Sequence, residues 1–407
     1  MRRENPQWEY NREISLYEKS DYRSKFYNGR WEKAWLKEVI LDAVNKGINL
    51  YDAMWRNYAD KNEHMPASLF KFYPFNQNSI KCIETNNVFM NNPRNFNDPF
   101  DCVLCASEKE FLKQYLIDHL TKTNAVAREI LTEEEFNKLK YSRCEDTKYG
   151  SVYKTFESVV FRLTYDEDKH EMRKGDLEIG KVLDRARHEY ENALETLREE
   201  TVGITSFANI NKFKLTSYME LWAHYAQNHE GFCVEYDLTQ TIDDATANAM
   251  AIGGLLPCSY GARQIVLSKQ KIYKYIMKNP FTIHEKMDFE KSIILSFLTK
   301  SSSWRYENEW RLILPWDICE IYGNMIPFFP IKAIYIGCRM PVDNMEFMYR
   351  FAQRKKIALY DMGLHEYRFE LEGAYLPVDV EEYLKKQCEN RNNQLQQSRY
   401  KFWKRLE

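Results

Sequence analysis

Residues 302–316, Ser-Ser-Trp-Arg-Tyr-Glu-Asn-Glu-Trp-Arg-Leu-Ile-Leu-Pro-Trp, restrict the fold more than any other stretch of this chain. With a period of two, Trp304, Tyr306, Asn308, Trp310, Leu312 and Leu314 fall on one side, and Arg305, Glu307, Glu309, Arg311 and Ile313 on the other. Side chains alternate across a strand, so the pattern predicts a half-buried strand bearing two carboxylates one pleat apart between two guanidinium groups. At roughly 3.3 Å per residue, Glu307 and Glu309 would stand about 7 Å apart, close enough to address one ligand. The competing reading is a solvated face whose charges pair with a neighbouring strand, where an ion pair contributes about 0–1 kcal/mol.

The 58 Lys and Arg residues against 60 Asp and Glu leave a net charge of −2, which gives no global electrostatic footprint for nucleic acid. No apolar run approaches the roughly 18–20 residues needed to span a bilayer, and the charged Met-Arg-Arg-Glu-Asn start lacks a signal-peptide core. The expectation is a cytoplasmic protein without membrane contact. Nine scattered cysteines, with Cys102 and Cys105 as the lone Cys-x-x-Cys, read as reduced thiols rather than a disulfide framework or zinc site. His224 and His229, five apart, do not align on a helix face and read as a surface or capping pair. No metal ligand set is expected.

Leu36, Ile40, Ala43, Val44, Ile48, Tyr51 and Trp55 recur at helical spacing and predict a helix near 30–58, with Gly47 as the point where it would break into two. Residues 1–66 form a helical N-terminal extension on this reading. The core spans 67–375 with a charged helical insert at about 107–200, and 376–407 is a C-terminal helix. Within the core, strands are expected at 69–75, 88–90, 203–208, 231–237, 333–337 and 366–372, with helices at 79–85, 218–228 and about 271–300. Strands and helices mix without regular βα alternation, so the fold class is α+β. The Asn- and Asp-rich loop 91–101, Asn-Asn-Pro-Arg-Asn-Phe-Asn-Asp-Pro-Phe-Asp, should be ordered through side-chain bonds to its own backbone. Phe96 or Phe100 should anchor it in the core.

Four segments together resemble a bacterial family labelled domain of unknown function 2971: Leu69–Phe75 with Asn92–Asp101, Gly203–Phe207, Trp222–Asp237 and Trp304–Arg311. Such proteins look similar to components of abortive-infection and phage-defence systems. A remoter resemblance is to ADP-ribosyltransferases, whose order of features is a basic residue on a first strand, a Ser/Thr-bearing second strand and a Glu-x-Glu near a third. It implies a small mixed or antiparallel split sheet, NAD as substrate and a protein or nucleic-acid acceptor, with a defence-system protein as a further partner. On this mapping Glu309 stabilises the cation that develops at the ribose, Glu307 orients or deprotonates the acceptor, and Ser206 supports Glu309. Lys71 and Thr205 would hold the cofactor together with Asn97 and Asp98, and Tyr218 or Tyr225 would stack on nicotinamide. Lys71 departs from the Arg or His of that class, and lysine offers a point charge in place of a planar fork. Two alternatives carry different expectations. One is a non-enzymatic sensor whose binding surface combines the 95–101 loop and the 222–229 helix. The other is a nuclease in which Asp98, Asp101, Glu307 and Glu309 gather a divalent metal.

Overall fold

The structure is a computed structural model that describes residues 30–62, 64–123, 131–141, 159–166, 168–172, 179–210, 215, 218–368 and 370–375. The expected C-terminal helix, the first 29 residues and parts of the 107–200 insert lie outside the described residues. In chain order the strands are β1 (Ser68–Tyr73), β2 (Asn87–Phe89), β3 (Tyr165–Asp166), β4 (Glu171–Met172), β5 (Val202–Ala208), β6 (Phe232–Asp237) and β7 (Leu255–Pro257). They continue with β8 (Ser259–Gly261), β9 (Thr299–Ser301), β10 (Glu309–Pro315), β11 (Met325–Pro327), β12 (Ile331–Ile336), β13 (Ala358–Leu364) and β14 (Leu371–Tyr375).

Eight of them form one open mixed sheet in the order β14-β13-β12-β6-β1-β5-β10-β7, in which β12 and β13 run parallel and the other neighbours antiparallel. The fold is α+β, as the pattern predicts, though the sheet is larger than the small one expected. Helices cover both faces. On one face Leu69, Phe207, Val234, Trp310, Leu312 and Ile334 share a core with the helices Gln77–Thr85, Ala245–Gly254 and Val342–Lys355. The opposite face is divided. Over β5, β10 and β7, Ile204, Ile313 and Leu256 pack under the N-terminal, insert and 283–298 helices, whereas Phe70, Phe72, Cys233 and Tyr335 lie under the short helix Met219–Tyr225.

The sheet is split where these two halves meet. β1 and β5 are registered at a single pair, Phe70 opposite Ala208, and then diverge. Beyond that point the inner edge of β5 finds other partners, as buried backbone must. The Lys71 ammonium donates to Ser206 O at 3.0 Å, and Asn91 exchanges both backbone hydrogen bonds with Ile204. The 91–101 loop therefore leaves directly from the split.

Several boundaries differ from the sequence reading. The helix predicted over 30–58 is two helices, Arg30–Lys46 and Leu50–Arg56, broken at Gly47, whose φ of +65° glycine adopts without strain. The strand expected at 366–372 begins only at Leu371, and β13, which the sequence pattern did not mark, precedes it. The largest difference concerns 302–316: the strand is Glu309–Pro315, and Ser302–Glu307 is a 3₁₀ turn. The Ser301 hydroxyl caps this turn by accepting from Ser303 N, and Asn308 ends it at φ 45° in the left-handed region that Asn tolerates. Local side-chain capping thus outweighs the alternation of Trp304, Tyr306 and Asn308. Of the two expected histidine positions, His224 is exposed, but His229 is buried and stacked on Trp222. No helix among the described residues is long and apolar enough to cross a membrane.

Candidate functional site

Within β10 the alternation holds and fixes which side chains reach the split. Trp310, Leu312 and Leu314 point into the continuous core. Glu309 and Arg311 point to the divided face, with Ser206 directly opposite Arg311 on β5. Glu307 arrives at the same place from the 3₁₀ turn rather than from one pleat away. Both carboxylates are almost fully buried, at 3% and 4% exposure, so this is not a solvated charged face.

Two buried cations organise the cluster. Lys300, in the middle of β9, donates to Glu307 Oε2 at 2.6 Å and Glu309 Oε2 at 2.9 Å, with Asp101 Oδ2 at 3.6 Å. Arg311, with no exposed surface, donates through Nε to Glu309 Oε1 at 2.8 Å and through Nη2 to Asp101 Oδ2 at 2.7 Å. Its Nη1 reaches Phe297 O at 2.6 Å and the Cys102 sulfur at 3.1 Å, and its guanidinium lies 5.2 Å from the centre of the Phe96 ring. Tyr225 completes the array by donating its hydroxyl to Glu307 Oε1 at 2.6 Å.

The loop is ordered as expected. The Asp98 carboxylate accepts from Phe100 N at 2.9 Å and from the Trp304 indole at 2.6 Å. Phe96 packs against the helical core, while Phe100 stands 72% exposed. Asp101 then delivers its carboxylate to Arg311 across 210 residues of sequence.

These groups enclose a cavity of about 110 Å³ in the split, lined on its apolar side by Phe70, Phe72, Phe96 and Leu221. Lys71, Asn97, Ser206, Tyr225, Glu307 and Glu309, six of the residues singled out from sequence, line it. Thr205, Tyr218 and Asp98 do not. Thr205 is buried and accepts from Lys71 Nζ at 2.9 Å, Tyr218 sits at the start of the 219–225 helix, and Asp98 is committed to Trp304. Lys300 was missed. The helical pattern of 271–300 runs over it, whereas the backbone leaves the helix at Leu298 and pairs β9 with β8.

The electrostatics separate the two glutamates. Burial alone would raise the pKa of Glu309, but Arg311 and Lys300 outweigh it and hold the carboxyl well below the usual range, helped by the nearby Ser206 hydroxyl. That hydroxyl is buried and completes no hydrogen bond of ordinary geometry. For Glu307, burial and the negative Glu309 beside it prevail over Lys300 and Tyr225, and its pKa is raised. Burial pulls Lys71 down to about 8, against the opposing pull of Cys82 and Glu309. One carboxylate is fixed in its charged form, while a second carboxyl and an amine are brought toward neutrality. Acid–base sites need groups moved in this way.

Residues 221–312 match the model of a family described as "Protein of unknown function (DUF2971)", so the resemblance to that family is carried by the Trp222–Asp237 and Trp304–Arg311 segments. The matched stretch contains Tyr225, Lys300, Glu307, Glu309 and Arg311. No curated protein and no solved structure gives a significant match, and the comparisons lend no support to the resemblance to ADP-ribosyltransferases.

Proposed function

We propose that the cavity is the active site of an enzyme that breaks the nicotinamide–ribose bond of NAD, as an ADP-ribosyltransferase-like or NAD-cleaving effector of a bacterial defence or toxin system. The observation that carries this reading is convergence. Lys71, Ser206, Glu307 and Glu309, from three distant parts of the sequence, line one cavity at the place where the sheet splits. The charge states suit the chemistry. Cleavage of that bond builds positive charge on the sugar, and Glu309, whose carboxyl is held in its ionised form by Arg311 and Lys300, supplies a carboxylate in a buried site. Glu307, with its raised pKa, exchanges a proton with the acceptor. Lys71 holds a phosphate or ribose oxygen at the β1 wall. At about 110 Å³ the cavity is smaller than the ~150 Å³ void that takes a benzene ring, so at most the nicotinamide end reaches into it and the adenosine end remains outside.

A metal-dependent nuclease has less support. The Lys300 ammonium already occupies the position between Asp101, Glu307 and Glu309 that a divalent cation would need, and Asp98 faces Trp304 instead. A sensor would use the same cavity without turnover. Incubation of the protein with NAD, followed by chromatography for free nicotinamide and calorimetry for binding, separates these readings. Release of nicotinamide is expected. Binding without release would favour the sensor, and neither binding nor release would remove NAD from the account.

A further inference from the structure

The site leaves little room for an outside acceptor at Glu307. This carboxylate is 3% exposed, and both of its oxygens are engaged by the chain itself, Oε2 by Lys300 and Oε1 by the Tyr225 hydroxyl at 2.6 Å. An incoming nucleophile would have to displace Tyr225 to reach the base. The other nucleophilic groups of the lining are less suitably placed. The Ser206 hydroxyl makes no ordinary hydrogen bond through which a base could take its proton. Lys71 donates to Thr205 Oγ1 and Ser206 O, which leaves its third proton for the cofactor oxygen, and Lys300 is committed to the carboxylates. Tyr225 both lines the cavity and already points its proton at a carboxylate. Its backbone closes the last turn of the Met219–Tyr225 helix, so the phenol is held on a regular element rather than on a loop.

We propose that Tyr225 is itself the acceptor, so that the protein ADP-ribosylates its own Tyr225 hydroxyl; this rests on the NAD-cleaving reading above. The bond between ribose C1 and the nicotinamide nitrogen breaks, and its electron pair leaves with nicotinamide. A lone pair of the Tyr225 oxygen forms the new bond to C1, and the phenolic proton passes along the existing 2.6 Å contact to Glu307 Oε1. The products are neutral nicotinamide and an O-linked ADP-ribosyl tyrosine that fills the cavity mouth and ends turnover. Phenols ionise near pH 10, and burial together with the neighbouring Glu307 raises this one further, so the transfer needs the base.

The test is full-length protein incubated with NAD, digested and mapped by tandem mass spectrometry, with free nicotinamide measured in the same samples. The expected result is one ADP-ribose on Tyr225 that survives neutral hydroxylamine, which would strip an ester from Glu307 or Glu309. Tyr225→Phe should lose that label. Mapping in the wild type decides the matter even if the variant folds poorly. Nicotinamide release with the label elsewhere, or with no label, overturns Tyr225 as acceptor and leaves the NAD-cleaving site standing. Absence of nicotinamide release overturns both.

Discussion

Arg311→Met will cost about 3–5 kcal/mol of folding stability, the usual loss when one partner of a buried ion pair is removed and the other is left uncompensated. That is a large share of the roughly 5–15 kcal/mol that holds an ordinary domain together. The reason is specific. Arg311 has no exposed surface and ties together Asp101, Glu309, Phe297 O and Cys102, which belong to the loop, the strand and the end of a helix. Without it Glu309 retains only Lys300, which it shares with Glu307, and Asp101 faces Lys300 at 3.6 Å. The pH dependence should also invert. In the wild type the folded Glu309 pKa lies below its ordinary value of 4.5, so its contribution is complete above pH 4.5 and is lost as the pH falls from there. In the variant burial dominates and the folded pKa lies above the unfolded one. Folding then takes up a proton, and stability falls as the pH rises. Urea titrations of both proteins at neutral and mildly acidic pH measure this directly. Equal stability at neutral pH would mean that the cluster is a solvated face after all.

Glu309→Gln is expected to slow nicotinamide release from NAD by about a hundred- to a thousandfold, the usual loss on removing one well-placed electrostatic group. Glu307→Gln should act differently. Water can take the place of the acceptor, so nicotinamide release should persist while transfer to an acceptor collapses. The two variants therefore divide cleavage from transfer. Melting temperatures serve as the folding control, because Glu309→Gln would present an amide to Arg311 and Lys300 where a carboxylate now binds both. A drop in melting temperature with no activity to lose would make the glutamate pair purely structural.

How much of this was legible before the structure varies with how local the signal is. The alternation of Glu309, Trp310, Arg311, Leu312 and Ile313 gave the right faces because strand periodicity is a property of neighbouring residues. The loop was legible for the same reason, since Asp98 bonds the backbone two residues on. The same alternation misled over Trp304–Asn308, where a serine cap and one left-handed asparagine turn the chain. Lys300 was hidden because nothing local distinguishes the end of an amphipathic helix from the short strand that follows it. The contacts of Asp101 with Arg311 and of Tyr225 with Glu307 join residues 210 and 82 positions apart, and they exist only through the register of the sheet and the path of the loop.

The central claim is that the cavity in the split works as an acid–base site whose titrating groups are Glu307 and Lys71. The most direct test is the pH profile of ADP-ribose transfer to the acceptor, followed by mass spectrometry, for the wild type and for Lys71→Arg. The account predicts a bell. Activity should fall on the acid side as Glu307, with its raised pKa, takes up a proton, and on the alkaline side near the Lys71 pKa of about 8 as the amine loses its charge. Arginine keeps its charge at any such pH, so Lys71→Arg should remove the alkaline limb and leave the acid limb in place. A wild-type profile that stays flat well past the Lys71 pKa, or an alkaline limb unchanged in Lys71→Arg, would contradict it.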